Sequence, residues 1–220
     1  MCHRYIQTSD LGSLHESLPF TGTVPLTPRH NIRPMQDVPV VYPRDGGNCL
    51  RMMQWGMDET SGGDTAATEI NVPLGLAEDL AGPSLQQRCL IPADGFYECE
   101  RRAGRRLQPW LVRLIEDGPF CFAGVWQIAR ALKGPTAYQC ALLTVADNGT
   151  IAPLAARVPV ILAKQDYATW LDPTTPRERL EGLLKPYRES GIYWHPVSAE
   201  ILESERDIPS LAEPAQLIAA

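Results

Sequence analysis

A chain of 220 residues, 44% apolar and 21% charged, has enough material for one sizeable core. Its 26 acidic against 20 basic residues leave a formal charge of −6, so nothing general attracts it to nucleic acid, although a local basic groove stays possible. No apolar run approaches the about 18 residues of a membrane span and no secretory pattern opens the chain, which makes a single cytoplasmic domain over 1–220, monomeric and without a membrane partner, the expectation.

The first helix is predicted over Asp10 to Leu18, with Asp10 as N-cap and Leu11, Leu14 and Leu18 on one face. Pro19 to Pro34, with its many prolines, reads as a surface loop. Val38 to Val41 and Leu50 to Trp55 read as strands joined by the turn Asp45-Gly46-Gly47-Asn48. Glu59 to Thr68 is a polar, Gly-rich loop, and the helical spacing of Leu76 to Gln87 is broken at Gly82-Pro83. Arg88 to Cys99 and Gln108 to Ile115 form a hairpin around Ala103-Gly104, with Arg101, Arg102, Arg105 and Arg106 at its tip. Strands follow at Phe120 to Trp126, Tyr138 to Val145 and Val158 to Leu162. Thr175-Pro176-Arg177-Glu178 has the pattern of a capping box, opening a helix that buries Leu180, Leu183, Leu184 and Tyr187. Ile192 to Val197 is a last strand, and the tail after Asp207 is a weak, peripheral extension. The sum is an α+β protein, mainly antiparallel sheet with peripheral helices.

The six cysteines make no C-x-x-C pair, so neither a zinc site nor a disulfide framework is indicated, and no cofactor is. Cys89, Cys121 and Cys140 lie in apolar runs and read as core. Cys2 differs. If Met1 is removed, it presents a thiol and a free α-amine on one residue, with ordinary pKa values of about 8.5 and about 8. Nitrogen can attack an aldehyde and sulfur can close the ring, leaving a thiazolidine. Glu98 ends the apolar run Ala93-Asp94-Gly95-Phe96-Tyr97-Glu98, where desolvation raises a carboxyl pKa toward the range useful for proton transfer.

Several segments in order resemble the SOS-response-associated peptidase (SRAP) family. They are Met1-Cys2-His3-Arg4-Tyr5, His30 to Gln36, Gln54-Trp55-Gly56-Met57, Arg88 to Glu98, Phe122 to Trp126, Arg157 to Leu162, and Trp194 to Ser198. The block ending at Glu98 is the most specific. The resemblance implies a twisted, partly closed, mainly antiparallel β core with peripheral helices. It implies binding of single-stranded DNA and capture of abasic sites, with self-cleavage uncovering Cys2 as the nucleophile. It further implies Asn71 as an orienting group, Glu98 as the acid/base carboxylate, and Arg4, Asn31 and Arg33 as contacts to the DNA backbone.

The chain departs from that pattern. Pro73 stands where the family has a phosphate-gripping Arg, Ala155 where it has a His that helps open the sugar, and His3 where it has Gly. The tryptophans that follow the Trp-Gly segment are absent. Two other functions therefore stand beside abasic-site capture. One is a catalytically depleted module binding DNA or a protein; the other is an N-terminal-nucleophile hydrolase using Cys2 on an amide.

Overall fold

The computed structural model describes residues 3–58, 68–74, 86–101, 107–116, 118–129, 137–149, 151 and 154–218. In chain order, β1 (Tyr5–Gln7) and α1 (Gly12–Ser17) lead to β2 (Arg29–Ile32), β3 (Asp37–Arg44), β4 (Gly47–Trp55) and β5 (Met57–Asp58). Then come β6 (Thr68–Glu69), β7 (Asn71–Pro73), β8 (Arg88–Ala93), β9 (Gly95–Arg101), β10 (Leu107–Leu114), β11 (Phe120–Ala129) and β12 (Ala137–Ala146). The chain continues through β13 (Arg157–Pro159), β14 (Ile161–Leu162), α2 (Tyr167–Leu171), α3 (Arg177–Leu183), β15 (Ile192–Pro196) and α4 (Glu200–Glu203). No helix among the described residues is long and apolar enough to cross a membrane.

The larger sheet runs β13-β12-β4-β3-β8-β11-β14, and a further pairing of β11 with β12 closes it into a barrel. Closure is completed by a short parallel contact, Gln139↔Gln54 and Cys140↔Trp55, in an otherwise mostly antiparallel ring. The β3–β4 hairpin turns on Asp45 and Gly46, both at positive φ (49° and 80°), which a two-residue turn matching the strand twist requires. A second sheet runs β15-β10-β9-β1-β2. Between the sheets lie Tyr5, Trp55, Phe96 and Phe122, with Tyr5 edge-on to Trp55 (5.1 Å) and to Phe122 (5.8 Å). The fold is α+β, a barrel-like, mainly antiparallel core with short peripheral helices.

The predicted strand across 88–99 is instead two strands in different sheets. Asp94 marks the break: its carboxylate accepts hydrogen bonds from the N–H groups of Thr8 (2.5 Å) and Ser9 (3.0 Å), and its own N–H donates to Ile6 O (2.8 Å). At the next residue a Cβ would sit 2.9 Å from Val112 O, so only glycine lets β9 start against β10. The hairpin of β9 and β10 forms as expected, but its arginine-rich tip, 102–106, falls outside the described residues. So do 59–67 and 75–85, where the polar loop and the broken helix were predicted.

Further expectations change. The Pro19 to Pro34 stretch contains β2, because Ile32 pairs with Tyr5 and buries its side chain. No capping box forms at Thr175: Pro176 is the N-cap, and the Thr175 hydroxyl donates to Thr169 O (2.7 Å) instead. The first helix is shorter than predicted, Gly12–Ser17 with Leu11 rather than Asp10 as N-cap, although Leu11, Leu14 and Leu18 are all buried. In the later helix Leu180 is buried, but α3 ends at Leu183, and Leu183, Leu184 and Tyr187 are only partly buried. The tail is packed: Leu211 is 1% exposed, against Ile6, Tyr97, Leu111, Val197 and Ile201.

Candidate active site

β1 lies between β9 and β2, pairing Tyr5↔Phe96 on one side and Tyr5↔Ile32 on the other. The first described residues therefore enter one strand in from the β2 edge of the smaller sheet. The carbonyl of Arg4 accepts the Tyr97 N–H (2.9 Å), which sets the first described residues against the first half of β9. A register shift between Tyr5 and Gln7 bends β1 away from β2 just here.

Beside this entry is a cavity of ≈ 850 Å³, lined among others by His3, Arg4, Arg33, Glu98, Cys99 and Ala155. Glu98, opposite Trp110 in the β9–β10 ladder, is 3% exposed. Burial pushes its carboxyl up to about 7, against smaller opposing contributions that include the Cys99 N–H. Burial also raises the neighbouring Cys99 thiol, with the Glu98 charge adding to the effect. Burial lowers the Arg4 guanidinium, and the adjacent Arg33 lowers it further. The cavity thus combines a carboxyl able to change charge near neutrality with two close guanidinium groups.

The structure gathers Arg4, Arg33 and Glu98 on this cavity. Asn31 is 1% exposed and accepts from Arg4 Nη1 at 2.6 Å. Both side chains also hold the segment after α4. Arg4 donates to the carbonyls of Leu202 (2.9 Å) and Ser204 (3.1 Å), and Asn31 Nδ2 donates to those of Ser204 (3.0 Å) and Arg206 (2.7 Å). Asn71, 8% exposed, starts β7 opposite Leu142 in the barrel and is not one of the lining residues. Met1 and Cys2 lie outside the described residues.

Ala155 offers the cavity only a methyl group, and Pro73 sits exposed at the end of β7. Arg157 is occupied in structure, donating to Thr144 O (2.5 Å) and Leu74 O (3.0 Å), which ties the exit of β7 to β12.

Sequence reading missed Glu205 and Asp207. Asp207 accepts from Arg29 Nε and from the N–H groups of His30 (2.5 Å) and Asn31 (3.0 Å), capping the free edge of β2. Burial alone would raise its pKa, but these donors hold it below the ordinary aspartate value. Glu205 lies 3.4 Å from Arg33 Nη1. The run Ser204-Glu205-Arg206-Asp207 carried only a local excess of charge; the partners of Glu205 and Asp207 lie more than 170 residues away in sequence.

Fold and site together define an α+β protein with a cavity that its first described residues help to line. The chain belongs to the SOS response associated peptidase (SRAP) family, whose pattern matches residues 1–204. It is 26% identical over 223 residues to the abasic site processing protein YoqW of Bacillus subtilis strain 168, covering 97% of this chain and 99% of that one. It is 29% identical over 199 residues to YoaM of the same organism, also an abasic site processing protein, covering 81% of this chain and 86% of that one. A crystal structure of a protein from Bacteroides thetaiotaomicron shares the fold at 16% identity, with a TM-score of 0.79 over 98% of this chain and all of that one.

Proposed function

We propose that the chain binds single-stranded DNA and captures abasic sites through Cys2 once Met1 is removed. The observation that carries this reading is Glu98: a buried carboxyl, raised to about 7, on the cavity that the first described residues also line. The relatives named for abasic-site processing support it. In the proposed reaction the Cys2 amine adds to the aldehyde carbon of the ring-opened sugar and loses water to give an imine. The Cys2 sulfur then adds to the imine carbon, and nitrogen takes up a proton to complete the thiazolidine. Glu98 gives a proton to the departing hydroxyl and takes one from the attacking group, a role that needs a pKa near the working pH. Asn71 is proposed to orient the nucleophile, and Arg4, Asn31 and Arg33 to form the flank along which the DNA backbone passes. Self-cleavage that exposes Cys2 belongs to the same proposal.

The test is to incubate protein whose amino terminus is confirmed as Cys2 with abasic single-stranded DNA. A heat-stable adduct on a denaturing gel, absent with Cys2→Ala, is the expected result. No adduct after long incubation would sink the reading.

One observation favours a second reading. With Ala155 on the cavity wall, no imidazole reaches the cavity from that position, so opening of the sugar is left to fewer groups. A depleted module would bind single-stranded DNA with normal salt dependence yet form no adduct. Filter binding run beside the gel assay separates the two.

A further inference from the structure

The segment 200–207 crosses one side of the cavity, and two kinds of contact hold it. Arg4 and Asn31 grip backbone carbonyls of Leu202, Ser204 and Arg206, while Ile201 is fully buried beneath them. These acceptors are neutral and part of the fold, so a DNA phosphate has no charge there to replace. The contact at Arg33 is of another kind. Its partner is the Glu205 carboxylate, 3.4 Å from Nη1 and with a side chain 87% exposed. The Nε of Arg33 is buried and has no hydrogen-bond partner among the described residues. The Arg33 side chain is nonetheless 27% exposed, so its guanidinium stays reachable at the cavity, with Glu205 a weak, solvent-screened counter-ion. A phosphate brings the same charge as Glu205 and more oxygen acceptors for the guanidinium fork.

We propose that Glu205 stands on Arg33 in place of a strand's phosphate and so sets the affinity for single-stranded DNA. The incoming strand exchanges Glu205 for one phosphate at Arg33, while Arg4 and Asn31 keep holding 202–206. Glu205 lies one residue past the range that matches the family. The proposal rests on the single-stranded DNA reading above and adds to it a competitor carried by the chain itself.

The experiment measures fluorescence anisotropy of a labelled single-stranded oligonucleotide without an abasic site, at several salt concentrations. Glu205→Gln is compared with wild type, with Arg33→Gln, with the double variant, and with Glu213→Gln, which removes the same charge from an exposed position on the same tail. Glu205→Gln is expected to tighten binding about two- to five-fold, the range for one exposed ion pair. It should also steepen the slope of log affinity against log salt by up to about one. Glu213→Gln should change affinity less than about 1.5-fold, since Glu213 has no ion pair among the described residues. In the Arg33→Gln background, Glu205→Gln should have no effect. Equal shifts from Glu205→Gln and Glu213→Gln, or a gain that persists without Arg33, would overturn the exchange while leaving DNA binding intact. Binding by no variant at all would overturn the single-stranded DNA reading, and the exchange with it.

Discussion

The barrel and the cavity side of the smaller sheet solve opposite problems. The barrel strands bury mostly neutral groups: Phe122 meets Tyr5, Phe96 and Phe120 edge to face between the sheets, and Cys89, Cys121 and Cys140 are fully enclosed. The charged exception, Arg88, donates to the carbonyls of Trp170 and Asp172. Burial pushes the Cys121 thiol up to about 12, so this sulfur packs as an apolar group and stays unreactive. The cavity side instead buries Glu98 and Asn31 and partly buries Arg4, groups that cost free energy away from water unless they are bonded. For Asn31 and Arg4 that bonding comes from the tail, through carbonyls more than 170 residues away. Stability is thus concentrated in the barrel, and the groups with chemistry to offer sit where polar burial is tolerated only with help.

That contrast breaks if the barrel accepts truncation. Phe122→Ala is expected to cost about 3–5 kcal/mol, read from urea unfolding, because the ring is fully buried among aromatic neighbours. A loss below about 1 kcal/mol would show that the barrel repacks and is not the rigid partner described here.

Glu98→Gln sharpens it from the other side. Loss of the acid/base group should slow adduct formation about 10²–10⁴-fold. The same change should raise stability, with a sign set by the direction of the shift. The folded carboxyl titrates near 7, above its unfolded value, so its stabilising protonation is complete below the ordinary glutamate range and is lost as pH rises through about 7. Glutamine does not ionise, so the variant should be favoured by up to ~3 kcal/mol at pH 8 and by little at pH 4. A pH-independent difference in unfolding free energy would refute the raised pKa.

Smaller effects probe the tail. Asn31→Ala removes the amide that serves Arg4 and the carbonyls of Ser204 and Arg206, and should cost about 1–3 kcal/mol. Hydrogen exchange should then quicken at the Ala215 and Ile218 amides, which bond Pro196 O and Gln108 Oε1 in the docked tail. Unchanged exchange would mean the tail is held elsewhere. Asp207→Asn should cost about 1 kcal/mol, as a charge-assisted acceptor becomes a neutral one. Its lowered pKa means that Asp207 stabilises docking above the ordinary aspartate value, and that this support disappears as pH falls through the folded value below about 3.9. Acid should therefore loosen the tail of the wild type, and the variant should lose that response.

Much of this was legible one segment at a time. Leu11, Leu14 and Leu18 announced their helix by spacing, and Asp45-Gly46 announced the hairpin because few residues take positive φ at both central positions. Glu98 stood out because a carboxylate closing an apolar run has little water around it. β2 was hidden by its flanking prolines, since its evidence is the pairing with Tyr5 rather than its composition. The break at Asp94 was hidden in the same way: Thr8 and Ser9, which bend the chain there, are remote in sequence.

The sequence by itself determined the elements whose signals are local: apolar period, turn residues, a carboxylate set in an apolar run, and an ordered series of segments that points to one family. Tertiary structure alone decided which charges meet. Arg4, Asn31, Arg33 and Asp207 acquire their partners only when β1, β2 and the tail converge, and an interaction across that sequence distance leaves no pattern in either segment. The pKa of Glu98 follows the same rule, because desolvation is a property of everything folded around the group and not of its neighbours in the chain.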